Sequence, residues 1–138
     1  MEASDYLKQP AKISAEIECL EIERQQWIDL AMRVTTCTDG EKVQSSRKKS
    51  PMQDAADKAM ECEEEIAREV KRLAVVKTEV SSTLRRVQNP TWYKVLHMIY
   101  FRGMELQDVA DAFNKSYDWA KSVHSKAKKI VQRILDEK

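Results

Sequence analysis

Residues 103–134 read GMELQDVADAFNKSYDWAKSVHSKAKKIVQRI, and this stretch decides the fold. Leu106, Val109, Ala110 and Phe113 recur at the spacing of one helix face, and Asn114-Lys115 stops the pattern. A second apolar set follows at Ala120, Val123, Ala127, Ile130, Val131 and Ile134, continuing to Leu135. Ser116 stands where a side-chain oxygen caps a new helix. Gly103 supplies the positive φ that a chain needs after a helix end, and Ala110 is small where two helices would cross. Just upstream, Trp92, Val95, Leu96, Ile99 and Tyr100 form a third set, closed by Arg102-Gly103. Three short helices with a tight break between the last two predict a helix-turn-helix over 90–138.

Working towards the N-terminus, Asn89-Pro90 ends whatever helix precedes it, because the residue before proline is pushed out of the α region. Behind it lies a seven-residue ladder of Ala59, Ile66, Leu73, Val80 and Val87, flanked by Cys62, Val70, Val76 and Leu84. A helix over 52–88 would be about 55 Å long at 1.5 Å per residue. Ser50-Pro51 reads as its start, with Ser50 as N-cap, Pro51 at the first helical position and Gln53 completing a capping box. An earlier ladder of Ile13, Leu20, Trp27 and Val34, joined by Ile17, Leu30 and Ala31, predicts a helix over 5–36. Pro10 is placed at or just before its first turn, with Asp5 or Ser14 as cap. Between the two helices, residues 37–51 hold Asp39-Gly40, clustered serines and Arg47-Lys48-Lys49, the composition of a basic loop. Two ladders joined by one loop predict an antiparallel helical hairpin, with an intermolecular coiled coil as the alternative. The expected domains are therefore 1–88, the hairpin or coiled coil, and 90–138, the helix-turn-helix.

Composition agrees with an all-α chain. Only 2 glycines and 3 prolines occur in 138 residues, too few for the turns of a sandwich or barrel or for a glycine-rich phosphate loop. Cys19, Cys37 and Cys62 have no ligand spacing, and His97 and His124 have no partner at metal-binding distance in sequence. No nucleophile–base pair appears either, so neither an enzyme nor a cofactor is expected. The acidic N-terminus lacks the apolar core of a signal peptide, and no run approaches the roughly 18–20 apolar residues of a membrane span. A cytoplasmic protein with idle thiols is the expectation.

The net charge of +1 is a cancellation. Acidic side chains crowd 54–69, while 70–89 holds Lys71, Arg72, Lys77, Arg85 and Arg86 against Glu79 alone. Residues 115–133 carry Lys115, Lys121, Lys126, Lys128, Lys129 and Arg133 against Asp118. The acid-to-base polarity of the second long helix suits the helix dipole. The basic final helix instead coincides with the recognition-helix register, and there a polyanionic partner, duplex DNA, is favoured over plain solvation. Tyr117, Asp118, Lys121 and Ser122 are the candidates for base edges in a major groove. Lys94, Arg102, Lys115, Ser125, Lys126 and Lys129 are the candidates for phosphates. Trp92, Tyr100 and Trp119 are aromatic enough to stack on bases, but their helical spacing favours packing, Trp119 least decisively.

These residues resemble the C-terminal DNA-binding region of sigma-70-type factors, region 4. The shared pattern is an apolar helix closing in Tyr100-Phe101-x-Gly103, then Leu106-x-x-Val109-Ala110-x-x-Phe113, the turn Asn114-Lys115-Ser116, and a final helix with Lys126-Ala127. Tyr117 and Ser122 depart from the longer polar or basic side chains usual in that family, so its promoter preference does not transfer. Nothing like a −10-binding region is present. Nearly the whole chain is similar to a narrower group, the late-operon transcription regulators of phages and prophages of Gram-positive bacteria (ArpU type). The features shared with it are Tyr6-Leu7, the heptad helix, Val43-Gln44-Ser45-Ser46 leading to Pro51-Met52, the second long helix and the sigma-like end. This resemblance implies DNA binding and control of late phage transcription in the bacterial cytoplasm. RNA polymerase is a possible further partner on this view, and the long helices provide for homo-oligomerisation. Two rival readings are a small terminase-like DNA-packaging subunit and a polymerase-binding module that does not read DNA.

Overall fold

The computed structural model describes residues 1–37 and 50–137; the basic loop expected near 37–51, with Gly40, Lys48 and Lys49, lies outside the described residues apart from its two ends. The described residues form five helices and no strand: α1 (Ala3–Cys37), α2 (Pro51–Arg85), α3 (Pro90–Tyr100), α4 (Leu106–Ala112) and α5 (Tyr117–Asp136). The chain is all-α, and it divides into two compact units. One comprises Met1–Ile13 and Leu73–Lys138, the other Ser14–Arg72.

Of the described helices, the second unit contains the C-terminal part of α1 and the N-terminal part of α2. Ile17 from α1 and Ala55, Ala59 and Cys62 from α2 are buried. Arg24 pairs with Glu63 at 2.6 Å and Glu16 with Arg72 at 3.8 Å, so partners on α2 move backwards as α1 moves forwards. Both pairs are solvated and contribute register rather than much stability. Burial and the Glu23, Glu65 and Glu61 carboxylates push the Cys62 thiol up, which keeps it protonated and unreactive.

Two ladder positions behave differently from the sequence expectation. Leu30 is exposed, since 17 residues beyond Ile13 it has rotated about 100° away from the buried stripe. Val70 is exposed too, at the edge of the stripe that Ile66 and Leu73 occupy.

The first unit carries the larger core. Ala3, Tyr6 and Leu7 of α1 pack with Val80 and Leu84 of α2, Val87 after it, Leu96 and Tyr100 of α3, and Ala127, Val131 and Ile134 of α5. Tyr6 Oη lies 2.7 Å from Thr83 Oγ1, which satisfies the one buried polar side chain of this core. The backbone N–H of Ala3 donates to Gln132 Oε1 at 2.7 Å. A smaller cluster of Val95, Met98, Val109 and Val123 lies among α3, α4 and α5, with Trp92, Phe113 and Trp119 packed on it.

Helix ends follow local chemistry with some departures. α1 starts at Ala3, through the bond from Tyr6 N–H to the Glu2 carbonyl, so neither Asp5 nor Ser14 caps it. Pro10 therefore sits inside the helix, not at its start. Its ring removes one N–H from the ladder, a loss tolerated because Tyr6 and Leu7 on one side and Ile13 on the other are anchored by burial. At the start of α2, Ser50 Oγ accepts from Gln53 N–H at 3.1 Å, but the Gln53 side chain donates onward to Asp57 at 3.0 Å. Only half of the expected capping box is formed, because the Gln53 side chain is turned along α2 to Asp57 instead of back to the Ser50 N–H. α2 closes at Arg85, and Asn89 then caps α3 by accepting from Thr91 and Trp92 N–H, with Pro90 at the first position.

Candidate nucleic-acid interface

α3, α4 and α5 all pack against one another. The connection from α4 to α5 is built from specific backbone bonds. Asn114 N–H donates to the Asp111 carbonyl at 3.1 Å and Lys115 N–H to the Ala110 carbonyl at 2.9 Å, the pair of bonds that defines a Schellman motif. Asn114 occupies the left-handed position with φ 56°, and Gly103 does the same after α3 with φ 67°. Ser116 Oγ then accepts from Trp119 N–H at 3.1 Å and starts α5. Asparagine tolerates this backbone because its short amide bonds locally, whereas a β-branched residue does not. Asn114→Val is expected to destabilise the fold by about 1–2 kcal/mol. Asn114→Gly should stay within a few tenths of wild type, and thermal melts of the two variants check the difference.

α5 divides cleanly into two faces. Ala120, Val123, Ala127, Val131 and Ile134 are buried, and Val109 and Ala110 of α4 meet that side without exposure. The three alanines at 110, 120 and 127 let helix backbones approach closely. Opposite them, Tyr117, Asp118, Lys121, Ser122, Ser125, Lys126 and Lys129 are all exposed. They follow one another around the same side of the helix for about 18 Å, at 1.5 Å per residue. Lys94, Arg102 and Lys115 are exposed as well.

The lysines of this face are electrostatically unsatisfied. Among the described residues, no carboxylate lies within ion-pair distance of Lys115, Lys121, Lys126 or Lys129. Arg86, by contrast, is tied to Glu137 at 2.9 Å, and Arg72 to Glu69 at 3.2 Å. Four cations left without counter-charge on one helix and its leading turn favour an anionic partner over isolation in water.

Aromatic packing fixes the end of the face where α5 begins. The Phe113 and Trp119 rings lie 5.3 Å apart, and Lys94 Nζ sits over the Phe113 ring at 5.4 Å. Trp119 is thus half-buried packing between α4 and α5, and Lys94 of α3 is brought to the end where Lys115 and the first turn of α5 lie. Trp92 and Tyr100 also pack inward. Arg102 lines a groove with residues of α2.

Sequence reasoning missed the support beneath this face. His124, on the border of the buried side of α5, has Nε2 2.7 Å from Tyr100 Oη, with the rings 5.6 Å apart. Burial, then the Lys128 and Lys8 cations, lower the His124 imidazole to about 4, while burial pushes the Tyr100 phenol up to about 12. The imidazole is neutral at pH 7, and its tautomer sets whether Nε2 accepts from the Tyr100 hydroxyl or donates to it. The signal for this pair was an aromatic at the end of α3 and a lone histidine on the apolar edge of α5.

No group of three metal-binding side chains and no helix long and apolar enough to cross a membrane occurs among the described residues. No family model, curated protein or solved structure matches the chain.

Proposed function

We propose that the protein is a sequence-specific duplex-DNA-binding transcription regulator. In this reading α3, α4 and α5 form a sigma-region-4-like helix-turn-helix, and α1 and α2 form an antiparallel helical hairpin. The observation that carries the reading is the α5 face, where seven exposed polar side chains share one side and the lysines lack counter-charges. Tyr117, Asp118, Lys121 and Ser122 read base edges, and Lys94, Lys115, Ser125, Lys126 and Lys129 hold phosphates. Arg102 holds the backbone from outside α5. The work falls within the ArpU-type control of phage or prophage late genes, in the cytoplasm of the bacterial host. RNA polymerase is the further partner that the sigma-like resemblance suggests. Self-association through the long helices would place two recognition helices about 34 Å apart, in successive major grooves.

The reading makes a quantitative demand. Lys121→Ala should weaken binding to the cognate site by roughly 1–3 kcal/mol. Wild-type affinity should fall steeply with salt, since each phosphate contact adds about 0.9 to the logarithmic slope. Footprinting across the encoding phage or prophage genome identifies the site, and a gel-shift titration then gives both numbers. Absent or salt-insensitive binding would sink the proposal. Binding confined to packaging sites would reassign the chain to terminase-like work, and polymerase capture without any gel shift would reassign it to a non-DNA module.

A further inference from the structure

The basic stretch of α2 is not used by the recognition face. Lys77 and Arg85 lie two helical turns apart, about 12 Å along the axis at 1.5 Å per residue. Together with Thr78, Ser81, Ser82, His97, Phe101 and Arg102 they line a groove of about 580 Å³ between the C-terminal part of α2 and the end of α3. No carboxylate lines it. Among the described residues the Arg85 and Arg102 side chains have no ion-pair or hydrogen-bond partner, and the Lys77 side chain has only the Phe101 ring beneath its Nζ at 5.8 Å. Arg86, just past the end of α2, is by contrast neutralised by Glu137.

The hydroxyls sharpen the chemistry. Thr78 Oγ1 spends its proton on the Ala74 carbonyl at 2.8 Å, but Ser81 and Ser82 make no internal hydrogen bond. Two hydroxyls without a side-chain bond thus lie between two cations without a carboxylate partner on one helix, and Arg102, just after α3, is a third cation lining the same groove. His97 is held by the rings on either side, 6.1 Å from Tyr93 and 5.0 Å from Phe101, which stiffens the far wall.

We propose that this groove is a second phosphate-binding surface, which grips the backbone of duplex DNA independently of its sequence. The inference rests on the reading of the chain as a DNA-binding protein. Arginine, lysine and serine are the side chains that position a duplex through its phosphates. An acidic protein surface is the less favoured occupant, since a protein interface needs apolar or aromatic anchors. The one large ring here, Phe101, is half-buried and already covered by Lys77.

The test is fluorescence anisotropy with a labelled cognate duplex and a scrambled one, across a salt series. It uses the full chain and the double variant Lys77→Gln/Arg85→Gln, with Ser82→Asp as a second probe. All three positions are exposed, and circular dichroism confirms that the variants stay folded. Each lost phosphate contact is worth roughly eightfold in affinity at 0.1 M salt and about 0.9 in the logarithmic slope. The double variant should weaken both duplexes by the same factor, on the order of tenfold or more, with a shallower slope and an unchanged specificity ratio. Ser82→Asp should weaken both as well, by repulsion. If wild type binds DNA and neither variant changes affinity or slope, this proposal fails while the reading of α5 stands. If wild type binds no duplex, both fail. Lost polymerase capture with unaltered DNA binding would assign the groove to an acidic protein and overturn the proposal.

Discussion

Leu96→Ala is expected to cost about 3–5 kcal/mol, a loss large enough to threaten the fold. Leu96 has no exposed surface and belongs to the cluster formed by Leu7 of α1, Leu84 of α2 and Val131 and Ile134 of α5. Three other helices thus contribute to the cluster that encloses this side chain. Removing it forfeits the burial of three carbon groups and leaves a void that no single neighbour can move to fill, because each is fixed by its own helix. Met60→Ala is the control. At 59% exposure Met60 has little contact to lose, and its change should stay within about 0.5 kcal/mol. Urea titrations followed by circular dichroism compare the two midpoints. An unchanged slope for Leu96→Ala would show that stability alone has fallen.

The second large effect is acid destabilisation through His124. In the folded protein the imidazole is lowered to about 4, from 6.5 in an unfolded chain. Between those values the unfolded chain binds a proton that the folded one refuses, so stability must fall as pH falls. The contribution is complete above about pH 6.5, declines through the window, and levels off below about 4. The difference corresponds to roughly 3 kcal/mol if taken at full value, and partial solvation of the ring reduces this to about 1–3 kcal/mol. Carboxylates also titrate towards the bottom of this range, so the decisive quantity is a comparison. His124→Gln, whose amide oxygen accepts the Tyr100 hydroxyl without titrating, should show a flatter stability profile between pH 6.5 and 4.5. Parallel profiles for the two proteins would remove His124 as the cause.

Much of the fold was legible because helices announce themselves by period. The stops at Gly103 and Asn114 fall just past the ends of α3 and α4, and Ser116 caps α5 as its position implied; α2 closes earlier, at Arg85, and Asn89-Pro90 starts α3. The exposed face of α5 was legible for the same reason, since a buried stripe of Ala120, Val123 and Ala127 leaves the rest of the circumference to water. The partition into compact units was harder to see. The sequence suggests a boundary at Pro90, yet the packing that holds α3 to α5 draws in residues 3–7 and the last turns of α2. One clue was available. Tyr6 stands seven residues before Ile13 and extends the first ladder upstream, through Pro10, which looks like a helix boundary when judged locally. Contacts such as Tyr6 with Thr83 or Tyr100 with His124 join residues far apart in sequence, and no local period encodes them. Lys94 shows the same limit, since its position over Phe113 depends on the angle between two helices rather than on either alone.

The bond from Ala3 to Gln132 spans 129 residues, and that separation sets an order of events during synthesis. Residues 3–7 leave the ribosome well before α5 exists, and until then Tyr6, Leu7 and the end of α2 lack the partners that bury them. Closing so long a loop is slow, although each doubling of length adds only about 0.6 kcal/mol to its entropic cost. The unit that contains α5 is thus completed late, from segments made early and late in synthesis together. In a nascent or truncated chain lacking α5, Ala3, Tyr6 and Leu7 would be left without the side of the core that Ala127, Val131 and Ile134 supply, and that exposed apolar turn would mark the chain as unfinished.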